Sequence, residues 1–167
     1  MNNNSDGFTL IELLVVIGII GILSTLAVVG LNVARQRSRD AKRVADIKQL
    51  QTSLELGFTD TGSFPNGTTG CGVANAEPCE SAIMGSATAT ALCNVGGAPV
   101  WMPSTAGCGA LYMGRTPSNP IPNGAPYLYL GTLTSYQLIF NLEGNTGQLQ
   151  AGYNCLSQTG IISGQSC

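Results

Sequence analysis

From Leu13 to Ala34 the chain carries no charge, and the only acid near the start of this apolar stretch, which opens at Gly7, is Glu12. A helix rising about 1.5 Å per residue would carry Leu13–Ala34 over roughly 33 Å, enough to cross the hydrocarbon core of a bilayer. At Arg35 the pattern changes. Apolar residues thin to a stripe, Val44, Ile47, Leu50, Leu54 and Phe58, spaced three, three, four and four residues apart on a polar background. This is amphipathic-helix spacing and predicts one face packed under a head domain. A single helix from Phe8 to about Thr59 would extend roughly 78 Å. Lys42 with Asp46, and Asp40 with Arg43, are spaced for weak pairs on its surface.

Gly57, the Asp60-Thr61-Gly62 sequence and Pro65 predict the end of this helix. Residues 66 to about 125 read as a long connection punctuated by Gly and Pro, with a short helix expected around Ser81 to Leu92. Pro126–Leu130, Ser135–Leu142 and Gln148–Tyr153 read as strands, with Glu143–Gly147 as the turn before the last. Together they predict a small antiparallel meander packed on the helix, with Tyr127, Tyr129, Tyr136 and Phe140 divided between core and surface. The fold class is therefore α+β: a long N-terminal helix on a small antiparallel sheet. The expected layout is a leader over 1–7, a membrane-spanning or core half-helix over 8–34, an amphipathic half-helix over 35–59, and a head over 60–167 with its sheet at about 126–153.

Charge and composition narrow the chemistry. Six of the seven basic residues lie between Arg35 and Lys48, which leaves Arg115 as the only one in the head, against Glu55, Asp60, Glu77, Glu80 and Glu143. A mildly acidic head is a poor general nucleic-acid binder. The basic cluster itself reads as a solvated flank of a membrane segment, as a partner for acidic groups of a neighbour or for lipid phosphates, or, least consistent with the lack of interleaved aromatics, as a DNA contact. Histidine is absent, which removes the commonest general base and metal ligand. Glu77, Glu80 and Glu143 show no ligand spacing, so no catalytic residue, metal site or cofactor is expected. The chain reads as the substrate of an enzyme and not as one.

All six cysteines, Cys71, Cys79, Cys93, Cys108, Cys155 and Cys167, lie in the head without a CxxC pair. Even number and wide spacing point to disulfides and an oxidising compartment. Sequence proximity alone favours Cys71–Cys79, Cys93–Cys108 and Cys155–Cys167 among fifteen possible connectivities. Asn66-Gly67-Thr68 is a formal glycosylation sequon.

Gly7-Phe8-Thr9-Leu10-Ile11-Glu12, followed by the apolar run, resembles the N-terminus of type IV pilins and pseudopilins, the class III signal sequence read by a prepilin peptidase. The preceding Met1–Gly7 carries Asp6 and no Lys or Arg, unlike an ordinary secretory leader. The resemblance covers residues 7 to about 65 and includes the turn Gly62-Ser63-Phe64-Pro65. It implies cleavage after Gly7, N-methylation of the new Phe8 amine, and polymerisation of the helices into a homopolymer core with Glu12 paired to the Phe8 amine of a neighbour. An intramembrane carboxylate is costly and calls for such a partner, unless it lies shallow enough to reach headgroup water. Gly18, Gly21 and Gly30, with Ser24 and Thr25, either let helices approach closely or reflect the tolerance of membrane helices for glycine. Val29 stands where many family members have proline, so any melting between Gly21 and Gly30 would rest on glycine alone.

The expected partners are further copies of the chain, the prepilin peptidase, the membrane before assembly and an inner-membrane assembly platform, without nucleic acid. Arg35 to Arg43 would by the positive-inside rule place the head in the cytoplasm. The cysteines and the signal motif place it outside, with an inner-membrane precursor and an extracellular filament. The reading that follows is a structural subunit of a type IV pilus, with a pseudopilin of a type II secretion system as the alternative and a single-span membrane protein with a disulfide-rich binding head as the third.

Overall fold

The computed structural model describes residues 9–66, 82–85, 89–122 and 125–163. One helix, α1 (Leu10–Thr61), is followed by eight strands: β1 (Ala82–Ile83), β2 (Ala91–Val95), β3 (Ala98–Met102), β4 (Leu111–Met113), β5 (Leu128–Gly131), β6 (Tyr136–Leu142), β7 (Gly152–Ser157) and β8 (Gly160–Ser163). This is the α+β, pilin-like order expected. The chain divides into two compact units, Met1–Arg37 and Ser38–Cys167.

In the first unit α1 is continuous through Gly21, Val29 and Gly30. Every large apolar side chain from Leu10 to Val33 is exposed. In the second unit the buried positions of α1 include Asp40, Arg43, Ile47, Leu50, Leu54 and Gly57, three or four residues apart. Ile47, Leu50 and Leu54 are the apolar centre of this stripe and join the core cluster with Leu138, Phe140 and Tyr129. Val44 packs on its flank, and Phe58 is exposed but stacks on Phe64 with ring centroids 4.5 Å apart. The helix passes through Gly57, whose missing Cβ admits the ring of Tyr112 at 3.2 Å. It stops at Gly62, which adopts a φ of 75° and donates its N–H to the carbonyl of Phe58 at 2.7 Å, a left-handed C-terminal cap.

A five-stranded antiparallel sheet runs in the order β1-β5-β6-β7-β8. β6 alternates strictly, burying Tyr136, Leu138, Phe140 and Leu142 against the helix. The third expected strand is displaced: Thr146 and Leu149 bond each other across a Gly147–Gln148 turn, and pairing with β6 begins at Gly152. The expected division of aromatics is corrected, since Tyr127, Tyr129, Tyr136 and Phe140 are all buried. For the three tyrosines the hydroxyls make this possible, because Tyr127 donates to Asp46, Tyr129 to the Pro65 carbonyl and Tyr136 to Glu55 at 3.0, 2.7 and 3.0 Å.

The long connection also contains a second sheet, of order β3-β2-β4. The helix expected around Ser81 to Leu92 is replaced by strand at Ala82–Ile83 and from Ala91 onward. Local helix propensity of Ala and Leu is outweighed there by cross-strand pairing of Leu92 with Trp101 and Met113. Gly96 and Gly97, both at positive φ, close the β2–β3 hairpin in a two-residue turn, the Gly-Gly signal that sequence reading had available. Cys93 and Cys108 are disulfide-bonded with Cα atoms 5.5 Å apart, as expected. Cys155 is also disulfide-bonded. Cys71, Cys79 and Cys167 lie outside the described residues, as do Gly67 and Thr68 of the sequon.

Gly131 lies beneath the Tyr129 ring, where a Cβ would overlap the phenol oxygen and crowd the Pro65 carbonyl that it bonds. Gly131→Ala should therefore lower the stability of the head by about 1–3 kcal/mol, the usual cost of overpacking. Thermal unfolding of the detergent-solubilised chain checks this, and an unchanged midpoint would remove the steric argument.

Candidate functional site

Two local arrangements carry the functional information, one in each unit. The first is the start of α1. Thr9 is the residue before the helix, and both its N–H and its hydroxyl donate to Glu12 Oε2, at 2.8 and 2.7 Å. The Glu12 N–H points back to Thr9 Oγ1 at 3.4 Å. A Thr followed three residues later by Glu is a capping box, in which each side chain satisfies a backbone donor that the helix leaves unpaired. The sequence Thr9-Leu10-Ile11-Glu12 contained this signal, and the reading of Glu12 as an assembly residue overlooked it. Glu12 Oε1 takes no hydrogen bond among the described residues, so capping occupies one oxygen and leaves the other open. Gly7 and Phe8 lie outside the described residues.

Beyond the cap, the helix surface is apolar all round. Ser24 and Thr25 donate their hydroxyls to the carbonyls of Ile20 and Ile22, at 2.7 and 2.8 Å, so neither needs a partner from outside the helix. A Cβ at Gly18, Gly21 or Gly30 would meet nothing within 4 Å. These positions are open faces of the isolated chain. By length and composition α1 is able to cross a membrane.

The second arrangement lies at the start of the buried stripe in the head unit, and it corrects the reading of the basic cluster and of its surface pairs. Arg43 is fully buried. Its Nη1 meets Asp40 Oδ1 at 2.6 Å and Glu143 Oε1 at 2.7 Å, its Nε donates to Asn119 Oδ1 at 2.8 Å, and its Nη2 to the Pro120 carbonyl at 3.3 Å. Arg39 forks onto both oxygens of the same Glu143, at 2.8 and 2.5 Å. Asp40 in turn accepts the backbone N–H groups of Glu143 and Gly144, at 3.0 and 2.9 Å. Two arginines and two carboxylates thus form a locally neutral network that fastens the β6–β7 turn and the irregular segment after β4, at Asn119 and Pro120, to one turn of helix. Asp40 and Arg43 are a buried ion pair and not a weak surface pair. Nor does Lys42 bond Asp46: the Asp46 carboxyl accepts from Tyr127 instead, and burial raises its pKa.

The Glu143 carboxyl is pulled down to about 2, chiefly by its hydrogen bond from Arg39, with Arg43 adding to it against a smaller opposing effect of burial. No group of three or more His, Cys, Asp or Glu side chains suited to a metal occurs among the described residues.

Residues 2–28 match the family model described as the prokaryotic N-terminal methylation motif. Among curated proteins, the chain is similar to type II secretion system core protein G of Dickeya chrysanthemi, with 33% identity over 47% of this chain and 51% of that protein. It is likewise similar to the proteins of the same name from Aeromonas hydrophila, with 38% identity over 36% of this chain and 42% of the other, and from Escherichia coli, with 39% identity over 35% and 41%. The chain spans about half the length, or less, of these relatives. No solved structure matches it. These similarities bear out the resemblance to the type IV pilin and pseudopilin family, and the names of the relatives favour the secretion-system alternative over the pilus reading.

A folded-state pKa of Glu143 below the unfolded value of about 4.3 means that its contribution is complete above roughly pH 5 and is lost as pH falls toward 2. Glu143→Gln should cost roughly 1–3 kcal/mol at pH 7, and its deficit against the wild type should shrink across that window. Denaturant titrations of both proteins between pH 7 and pH 2.5 measure this gap; a gap independent of pH would dissociate Glu143 from the network's stability.

Proposed function

We propose that the chain is a pseudopilin-type filament subunit of a type II secretion machine, made as a single-span inner-membrane protein with its head outside the cytoplasm. The observation that carries the reading is the capped, wholly exposed apolar helix inside the segment that matches the methylation motif. An apolar surface of that extent needs a lipid or protein environment along its whole length. In this reading the prepilin peptidase removes residues 1–7 and methylates the Phe8 amine. Residues 8–34 serve in the membrane and then in the filament core, residues 35–59 seat the head, and residues 60–167 form it. Gly18, Gly21 and Gly30 are the places where a neighbouring helix comes close. Self-association and an inner-membrane assembly platform complete the set of partners. The disulfides support export of the head to an oxidising compartment.

Glu12 has a double role in this proposal. Oε2 caps the helix, and Oε1 receives the Phe8 ammonium of a neighbouring subunit, which offsets the desolvation of both charges in the apolar core. The family relation supports a structural role, with the chain as the substrate of its processing enzyme. The surface-pilus reading keeps one observation in its favour, the disulfide stapling of the head.

Intact mass and N-terminal sequencing of the processed protein should find a methylated Phe8 as first residue; retention of Met1 would refute processing. Loss of enzyme secretion on deletion of the chain supports the secretion role, and long surface filaments with unimpaired secretion would transfer it to a pilus. Glu12→Ala should leave membrane insertion intact and lower assembled filament by roughly an order of magnitude or more, because the ammonium loses its buried partner. Crosslinked oligomer yield measures this, and normal yield would exclude the pairing.

A further inference from the structure

The five cations between Arg35 and Arg43 do not form one patch. Arg39 and Arg43 are committed to Glu143 and Asp40 inside the head unit. Lys42 is exposed in that same unit, within electrostatic reach of Asp46. Arg35 and Arg37 belong to the other unit, are exposed, and take no ion pair or hydrogen bond among the described residues. They directly follow Ala34, the last residue of the uncharged run.

A carboxylate of a second copy is poorly placed to serve them, because every carboxylate among the described residues is already bonded within its own chain, and the open Oε1 of Glu12 goes in the reading above to a neighbour's Phe8 amine. Glu12 bonds Thr9, Asp40 bonds Arg43, Asp46 bonds Tyr127, Glu55 bonds Tyr136, Asp60 bonds Tyr112, and Glu143 bonds Arg39. A bilayer offers what the chain does not. With the apolar run in hydrocarbon, Arg35 and Arg37 lie within about 5 Å, along the helix, of its end. Their long stems reach the headgroup layer while the charge stays in water. A phosphodiester presents two oxygens that a guanidinium fork matches. The two side chains leave the helix about 200° apart, so each would meet a different headgroup.

We propose that Arg35 and Arg37 form a lipid-phosphate contact site that holds anionic lipid around the helix where it leaves the membrane. This rests on the membrane-anchored reading above. In wild-type chain reconstituted into nanodiscs of mixed phosphatidylcholine and phosphatidylglycerol, lipid retained on the protein after gentle delipidation should be enriched in phosphatidylglycerol. The expected enrichment is roughly fivefold per arginine at low salt. R35Q/R37Q should lose the enrichment, R35K/R37K should retain most of it, and R39Q should retain it while destabilising the head. Equal enrichment in R35Q/R37Q and wild type, or none in wild type, would overturn the proposal. So would a loss of self-association in R35Q/R37Q with its lipid preference unchanged, which would assign the arginines to a second copy. Failure of the wild type to remain in the bilayer under alkaline extraction is a separate readout, and it would bring down the membrane reading itself.

Discussion

A guanidinium without access to water must have its charge met by the protein, and in this chain that requirement organises the base of the head. Arg43 is met by a carboxylate one turn earlier on its own helix, by another 100 residues later, and by the amide and carbonyl of Asn119 and Pro120. Removing any one of these would leave charge or hydrogen-bonding capacity unsatisfied in a dry place, which is far more costly than the pair is stabilising. The network therefore acts chiefly by specifying position. It fixes where the β6–β7 turn and the segment after β4 meet the helix, and the apolar stripe of Ile47, Leu50 and Leu54 then supplies most of the burial energy.

The tyrosines extend the same principle up the head. Tyr127, Tyr129 and Tyr136 bring large apolar area into the core, and their hydroxyls end on Asp46, Pro65 and Glu55. Burial pushes all three phenols well above their ordinary pKa, with Asp46 adding to it at Tyr127 and Glu55 at Tyr136, so they act as neutral donors throughout the physiological range. The close approach of Tyr129 to the chain at Gly131 shows how little room this leaves.

The two units solve opposite problems along one helix. The head unit hides charge by pairing it internally, whereas the first unit displays apolar surface that no part of its own chain covers. Even the polar atoms of Ser24 and Thr25 turn inward onto the helix backbone. At the start of the apolar run Glu12 is anchored by Thr9 through one oxygen, and at its end Arg35 and Arg37 stand exposed. Such a division suits the proposed subunit, in which lipid and then other helices would complete the first unit.

Residue order alone marks the helix, its apolar first half, the face of its second half, its glycine stop, and the strand alternation of β6, because each follows from periodicity or local backbone preference. It also contained the Thr9–Glu12 cap and the Gly96-Gly97 hairpin, both local signals. The Cys93–Cys108 pairing followed from proximity in the chain. The inward turn of Arg39, Asp40 and Arg43 emerges from the fold, because their decisive partners lie 76 to 104 residues away and no hydropathy pattern marks a charge as buried. For the same reason Ala82–Ile83 and Ala91–Leu92 became strand instead of helix, and the tyrosines went inward together. A residue's local preference is a weak term, and the partners that outweigh it are set by the fold.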